Sequence, residues 1–211
     1  MALITVARQL GAGGAAVADA LAERLGWRLL DRGLVDRIAE DLQVAPEQVE
    51  LNDERVAHFM ERLGLYLSEV YPEVLSVPAV PVPSCSPELT ARAARRVVAA
   101  AASEGSAVVV GHGAQFVLAE QPDALHVLVH ASLDFRVARA AGRWGVTPDE
   151  ARERIRLSDD DRRAYIRAHF GGDWLDPRLY GVCIDTGRLG LEGAVETIAE
   201  AARRCLPAGA G

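Results

Sequence analysis

Near the amino terminus a short run rich in β-branched residues, Ile4-Thr5-Val6, passes through Ala7-Arg8-Gln9-Leu10 into Gly11-Ala12-Gly13-Gly14. An apolar-periodic stretch follows, with Val17, Leu21 and Leu25 on one face. Strand, glycine loop and helix in that order leave few architectures open. The first amides of a helix have no intrahelical acceptor, and glycine lets an anion approach the backbone with no Cβ in the way. The stretch is therefore read as a loop that holds a phosphate chain; the plainer reading is a glycine turn with no ligand.

Two known loops compete for this stretch, and spacing separates them better than glycine content does. The P-loop pattern is G-x-x-x-x-G-K-[ST]. With Gly13 as its second glycine, Arg8 takes the first glycine position, Gly14 the lysine position and Ala15 the position of the Mg²⁺-binding hydroxyl. All 23 basic residues are arginine, so positive potential at such a loop comes from backbone amides and guanidinium groups alone. The dinucleotide fingerprint G-x-G-x-x-G/A is satisfied by Gly11-Ala12-Gly13-Gly14-Ala15-Ala16, with Asp31 about 20 residues on. Its first glycine should follow the strand directly, whereas Arg8, Gln9 and Leu10 intervene here.

The 211 residues suit one α/β domain with a sizeable core. A formal charge of -7 argues against nucleic acid or a membrane surface as a partner. Cys85, Cys183 and Cys205 are scattered, with no pattern for zinc or a disulfide framework. No signal peptide is apparent and no apolar run reaches the ~18 residues of a membrane span, so a reducing, cytoplasmic setting is expected.

Along the chain, Trp27-Arg28-Leu29-Leu30-Asp31 reads as a second strand that delivers Asp31 and Arg32 at its carboxyl end, with a helix over 32–42. Asp31 there suits a ribose hydroxyl or a Mg²⁺-bound water, and equally a helix N-cap. An acidic, helical piece over 47–70 precedes a proline-rich run over 77–87, which is excluded from central strands and helices and is read as a substrate flap or a homodimer arm. A helix over 88–102 leads to Ala107-Val108-Val109-Val110, a strand buried on both faces, which ends in Gly111-His112-Gly113-Ala114. His112 at that end suits either a ligand-facing or a purely structural hydrogen bond. Leu125-His126-Val127-Leu128-Val129 is a fourth strand.

The helix after it carries Arg136, Arg139 and Arg143 on one face. Thr147-Pro148-Asp149-Glu150 opens another with a capping box and proline at the first helical position. Its mixed run of Arg152, Arg154, Arg156, Arg162, Arg163 and Arg167 among carboxylates reads either as a solvated, ion-paired face or as a phosphate-closing lid. A fifth strand, Val182-Cys183-Ile184-Asp185, a turn over 186–188 and a terminal helix over 191–206 complete the alternation, which argues for a parallel, doubly wound sheet.

Taken in order, several segments resemble the cytidylate-kinase-like family, a divergent branch of the P-loop nucleoside monophosphate kinases. They are the stretch from Ile4 to Gly14, Leu30-Asp31-Arg32, Val108-Val109-Val110-Gly111-His112-Gly113-Ala114, Asp159-x-x-Arg162-x-x-Tyr165, Asp173-Trp174-Leu175-Asp176-Pro177-x-x-Tyr180 and Ile184-Asp185-Thr186. The resemblance implies a single domain over 1–211, a three-layer α/β fold with a parallel five-stranded sheet flanked by helices. It also implies an acceptor-side flap or dimer arm over 46–90 and a helical, arginine-rich lid over 132–170.

The implied activity is transfer of the γ-phosphoryl of ATP, with Mg²⁺, to CMP or a related monophosphate. Arg8, Gly11, Ala12, Gly13 and Gly14 would hold the donor phosphates, and Arg188 would lie at the adenine side. Arg136, Arg139 and Arg162 would neutralise the transferring group, and Asp31, Arg32, Gly111 and His112 would face the acceptor. No residue is identified as the Mg²⁺ anchor. The chain departs from the family at Ala7 and Ala12, where a hydroxyl is usual, at Ala15 and Ala16, usually polar, and at His112, usually arginine. Histidine gives up a fixed charge and a bidentate donor. Nucleotide binding without useful transfer is therefore an alternative reading, and a dinucleotide module a third.

Overall fold

The computed structural model describes residues 2–30 and 105–207. Asp31, Arg32, the helices expected over 32–42, 47–70 and 88–102, the proline-rich run and the flap over 46–90 lie outside the described residues.

Five strands form one sheet: β1 (Leu3–Arg8), β2 (Arg28–Leu30), β3 (Ala107–Val110), β4 (Ala124–His130) and β5 (Val182–Asp185). Their order is β2-β3-β1-β4-β5, and every pairing is parallel. The centre is where the sequence is most continuously apolar, since Ala107, Val108 and Val109 of β3 are 0% exposed and cannot sit on an edge. This order also separates the two loop readings. In a dinucleotide fold the second strand lies beside the first, whereas here β3 lies between them. The arrangement is that of the P-loop kinases.

Helices cover both faces: α1 (Gly14–Leu25), a short α2 (Ala114–Val117), α3 (Leu133–Trp144), α4 (Pro148–Phe170) and α5 (Thr186–Cys205). Alternation along each strand sorts the residues. Ile4 and Val6 of β1 and Val127 and Val129 of β4 face α1 and α5, packing with Val17, Leu21, Ala194 and Ile198. On the opposite face Ala7 and Leu128 pack with Ile166, Trp174 and Tyr180. A third cluster joins Leu10 of the glycine loop to Val137 and Ala140 of α3 and to Ala151 and Ile155 of α4. Val17 and Leu21 are 0% exposed. Burying such side chains is worth about 1.5–3 kcal/mol each, which outweighs the roughly 1 kcal/mol that a glycine costs in a helix interior. A glycine-rich start to α1 is thereby tolerated.

Local signals place the remaining ends. The Thr147 hydroxyl accepts from the Glu150 amide at 3.3 Å, as the capping box requires, and Ser132 caps α3 through the Phe135 amide at 3.3 Å. The terminal helix begins earlier than the sequence pattern suggests, at Thr186, but is broken at Gly190 (φ +69°). The turn expected over 186–188 is thus a first helical turn set off from the rest.

Candidate active site

In a parallel sheet the strand ends that follow the direction of the chain share one edge. Here they bring together the residues after β1, β3, β4 and β5. β1 is central, with β3 on one side and β4 on the other, and the chain crosses over it between those two strands, so the crevice opens above its carboxyl end. The glycine loop occupies that position.

The loop is tied down from several directions. The Gln9 amide donates to the Val129 carbonyl at 3.0 Å, and Gln9 Oε1 accepts from the Ala131 amide at 3.3 Å. The Ala12 amide closes a turn onto the Gln9 carbonyl at 3.1 Å. Two further carbonyls meet buried donors: Leu10 O accepts from Arg136 Nη1 at 3.4 Å, and Ala12 O from Thr186 Oγ1 at 2.6 Å. A trans peptide points its C=O and N–H in opposite directions. Holding the Leu10 and Ala12 carbonyls against Arg136 and Thr186 therefore aims the Gly11 and Gly13 amides away from those donors. Gly11 (φ +83°) and Gly13 (φ +81°) take the left-handed conformation this path needs. No side chain caps α1 and no carboxylate lies in its first turn, so its own first turn does not compensate the positive end of the helix.

Close approach explains the glycines as well as their φ angles. A Cβ on Gly11 would lie 2.8 Å from the Arg136 carbonyl oxygen, and one on Gly13 would lie 3.2 Å from the Arg139 guanidinium carbon. One on Gly14 would overlap the Cβ of Arg8, and one on Gly111 would overlap Arg8 Nη1. Arg8 thus starts beside α1 and ends over the turn that follows β3. Neither Arg8 nor Arg139 makes a hydrogen bond or ion pair among the described residues.

The other arginines differ. Arg136 is 7% exposed; its Nη1 meets Asp159 at 2.6 Å, and its Nε has no hydrogen-bond partner among the described residues. Arg162 donates to the other Asp159 oxygen at 3.2 Å and lies over the Trp174 ring, 4.8 Å from its centroid. Arg154, Arg156 and Arg163 form exposed pairs with Glu150, Glu153 and Asp160, which is the solvated face. The charge run therefore has two sides, one ion-paired toward solvent and one joined to the loop. Arg188 extends outward, its side chain 87% exposed, with Nε 3.6 Å from Asp185.

After β3 the chain turns through Gly111 (φ +74°), His112 (φ +55°) and Gly113 (φ +67°). Three consecutive left-handed residues are uncommon, and glycine on both sides of His112 makes the turn accessible. Gly113 accommodates Phe170 at the end of α4, where a Cβ would lie 2.5 Å from the ring, and Phe170 stacks on Phe116 with centroids 5.1 Å apart. The far end of α4 is thereby docked beside the same turn. Beneath it, the Tyr180 hydroxyl donates to the Trp174 carbonyl at 2.5 Å and accepts from Gln115 Nε2 at 3.3 Å; burial pushes its ionisation well above the ordinary tyrosine value. Among the described residues no group of three His, Cys, Asp or Glu side chains comes together to hold a metal. The hydroxyl position of the loop is Ala15 and β3 ends without a carboxylate, so these residues do not fit a protein-held Mg²⁺.

Comparison with known families matches residues 3–188 to the cytidylate kinase-like family. The chain belongs to that family. A cytidylate kinase of Ignicoccus hospitalis is 27% identical over 198 residues, covering 94% of this chain and 97% of its own. One of Methanopyrus kandleri is 32% identical over 96 residues, covering 42% and 50%. Among solved structures, an uncharacterised protein from Eubacterium ventriosum superposes with a TM-score of 0.70 at 20% identity, over 96% of this chain and 99% of that one. A gluconokinase from Sinorhizobium meliloti superposes with a TM-score of 0.52 at 15% identity, over 96% and 92%.

Within the family frame, Arg8, Gly11, Ala12, Gly13, Gly14, Gly111, His112, Arg136, Arg139 and Arg162 are gathered around one edge of the sheet. Three participants stood in the sequence only inside longer motifs, with no role of their own: Gln9 and Thr186, which tether the loop, and Trp174, the shelf under Arg162. Trp174 is 1% exposed, and its sequence signal is the Asp173-Trp174-Leu175-Asp176-Pro177 stretch that follows the charged helix.

Proposed function

We propose that the protein transfers the γ-phosphoryl group of ATP to CMP or a closely related nucleoside monophosphate. The observation that carries this reading is the glycine loop, two of whose carbonyls are held by buried donors, flanked by two guanidinium groups without a polar partner among the described residues: Arg139 beside Gly13 at the start of α1 and Arg8 over the turn after β3. A triphosphate fits such a cradle, because every donor in it is a backbone N–H or a guanidinium and no carboxylate lies in the first turn.

In this scheme Gly11, Gly13 and Gly14 hold the donor phosphates through main-chain donors, Ala12, whose amide is spent on the Gln9 carbonyl, shapes the loop between them, and Arg8 stands in place of the absent lysine. ATP supplies the group to be transferred. Phosphoryl transfer asks little covalent work of a protein, so positioning and charge neutralisation provide most of the rate. Arg139 and Arg162 neutralise the transferring group from a lid formed by residues 132–170. Arg136, already engaged by Asp159 and Leu10, acts by positioning that lid on the loop. Gly111 and His112, with Asp31 and Arg32, face the acceptor, and Arg188 lies at the adenine side. The partners are nucleotides and the setting cytoplasmic, with the proline-rich run serving as a substrate flap or as a homodimer arm; no helix among the described residues is long and apolar enough to cross a membrane.

A second reading, nucleotide binding without useful turnover, is favoured by Ala15 and by the carboxylate-free end of β3, which leave Mg²⁺ without a protein anchor among the described residues. A coupled assay of ADP formation with ATP, Mg²⁺ and CMP separates the two. CMP-dependent ADP release that falls about a hundredfold in Arg162→Ala supports the transferase. Unchanged transfer in that variant removes Arg162 from the mechanism, and ADP binding with no turnover at any Mg²⁺ concentration supports the second reading.

A further inference from the structure

Thr186 lies far from the glycine loop in sequence, 174 residues from Ala12, yet its Oγ1 is 2.6 Å from the Ala12 carbonyl oxygen. The residue is 5% exposed and is the first of α5, directly after the strand end at Asp185. A hydroxyl carries one proton, and the shorter contact identifies where it goes; the His130 carbonyl at 3.3 Å is the weaker second acceptor. Ala12 is itself 0% exposed, so its carbonyl has no easy access to a replacement donor from solvent.

From this we infer that Thr186 is a positioning residue for the donor phosphates, one that sets the direction of the Gly13 amide without touching the nucleotide. The Ala12–Gly13 peptide is planar, so the side chain that holds its oxygen also orients its N–H. Gly13 is glycine in the left-handed region, where rotation of that peptide meets little steric resistance from the residue itself. Something outside the loop has to choose the orientation, and Thr186 is the donor in place to do so. The Arg136 contact to Leu10 O does the same for Gly11 at a longer 3.4 Å. Because α5 begins at Thr186, the orientation of the loop is tied to the end of β5 and not only to the helix it precedes.

The inference rests on the loop being the phosphate site, and the test keeps the two apart. The full-length protein and its Thr186→Val and Thr186→Ser variants are titrated with ADP by calorimetry, and KM for ATP and for CMP is measured for each. Thr186→Val is expected to weaken ADP binding and raise KM for ATP by about tenfold, with KM for CMP and kcat within twofold of wild type; Thr186→Ser restores both. In parallel, selective ¹⁵N-glycine labelling reads the Gly13 amide, whose shift is expected to move in the valine variant and return in the serine variant. Wild-type ADP binding with an unaltered valine variant overturns the inference. Should the wild type not bind ADP, the phosphate reading falls, and an unmoved Gly13 amide in Thr186→Val overturns the Thr186 assignment independently. If Thr186→Val does not fold, Thr186→Ala and Thr186→Ser carry the same comparison, and an alanine variant that binds ADP like the serine variant overturns it too.

Discussion

Thr5 and His126 face one another across β1 and β4, on the opposite side of the sheet from α1, with Thr5 Oγ1 and His126 Nδ1 2.8 Å apart. The backbone of Leu118 also hydrogen-bonds His126, and the roles of Thr5 Oγ1 and Nδ1 follow from the tautomer the ring adopts. Burial is the larger influence and holds the imidazole below its ordinary value of 6.5; the Leu118 contact opposes it more weakly. With the folded value below the unfolded one, the unfolded chain binds the proton more readily in the interval between them. Stability therefore rises with pH through that interval and is lost as pH falls below 6.5. Thermal unfolding at pH 7.5 and 5.5 is expected to show a larger drop for the wild type than for His126→Gln. Equal drops would place the acid sensitivity elsewhere. The arginines make the complementary point at this scale: neighbours on one helical face, Arg136 and Arg139, have opposite fates because one meets Asp159 in the interior and the other, exposed, lies beside Gly13 with no ion pair among the described residues.

Among the elements, α4 is the one whose placement matters most. Its first half packs on α3 through Ala151 and Ile155, and its last residue, Phe170, docks on the turn after β3 through Gly113 and Phe116. A helix anchored at both ends spans the edge of the sheet, which a solvated charge run alone would not do. Gly113→Ala is expected to destabilise the fold by about 2–3 kcal/mol, part from the left-handed φ and part from the overlap with Phe170. The second part disappears in a Phe170→Ala background, so a double-mutant cycle read by urea unfolding should give a coupling of about 1 kcal/mol. A coupling near zero would mean that the ring moves aside without cost. The sequence signals for α4 were strong where they were local: Thr147, Pro148 and Glu150 fix its start because they act within one turn. Its far end is closed locally too, by Gly171 (φ +68°), whose amide meets the Arg167 carbonyl, but where that end docks had no local signal, since the glycine that receives Phe170 belongs to another segment.

At the scale of the molecule, Asp159 joins the helical hairpin to the glycine loop. Its carboxylate holds Arg136 and Arg162, and Arg136 in turn reaches Leu10. With Arg136 and Asp159 side chains only 9% and 15% exposed, removing the carboxylate leaves a buried guanidinium with a single carbonyl partner. Asp159→Asn is expected to cost about 3 kcal/mol in urea unfolding, while an exposed pair such as Arg156→Ala should cost less than about 1 kcal/mol. Similar costs for the two would show that the buried pair carries no special weight. What the chain announced by itself is local: the strand, glycine loop and helix at the start, the fully apolar β3, the caps, and an all-arginine basic content. Those follow from periodicities and turns that act over a few residues. Tertiary structure alone decided that β3 lies between β2 and β1, which arginines are neutralised by carboxylates and which face the loop, and that Thr186 holds Ala12. Such contacts join residues 23, 126 and 174 positions apart. No local rule relates residues at that separation; they meet only because burial of the apolar strands brings their carboxyl ends to one edge.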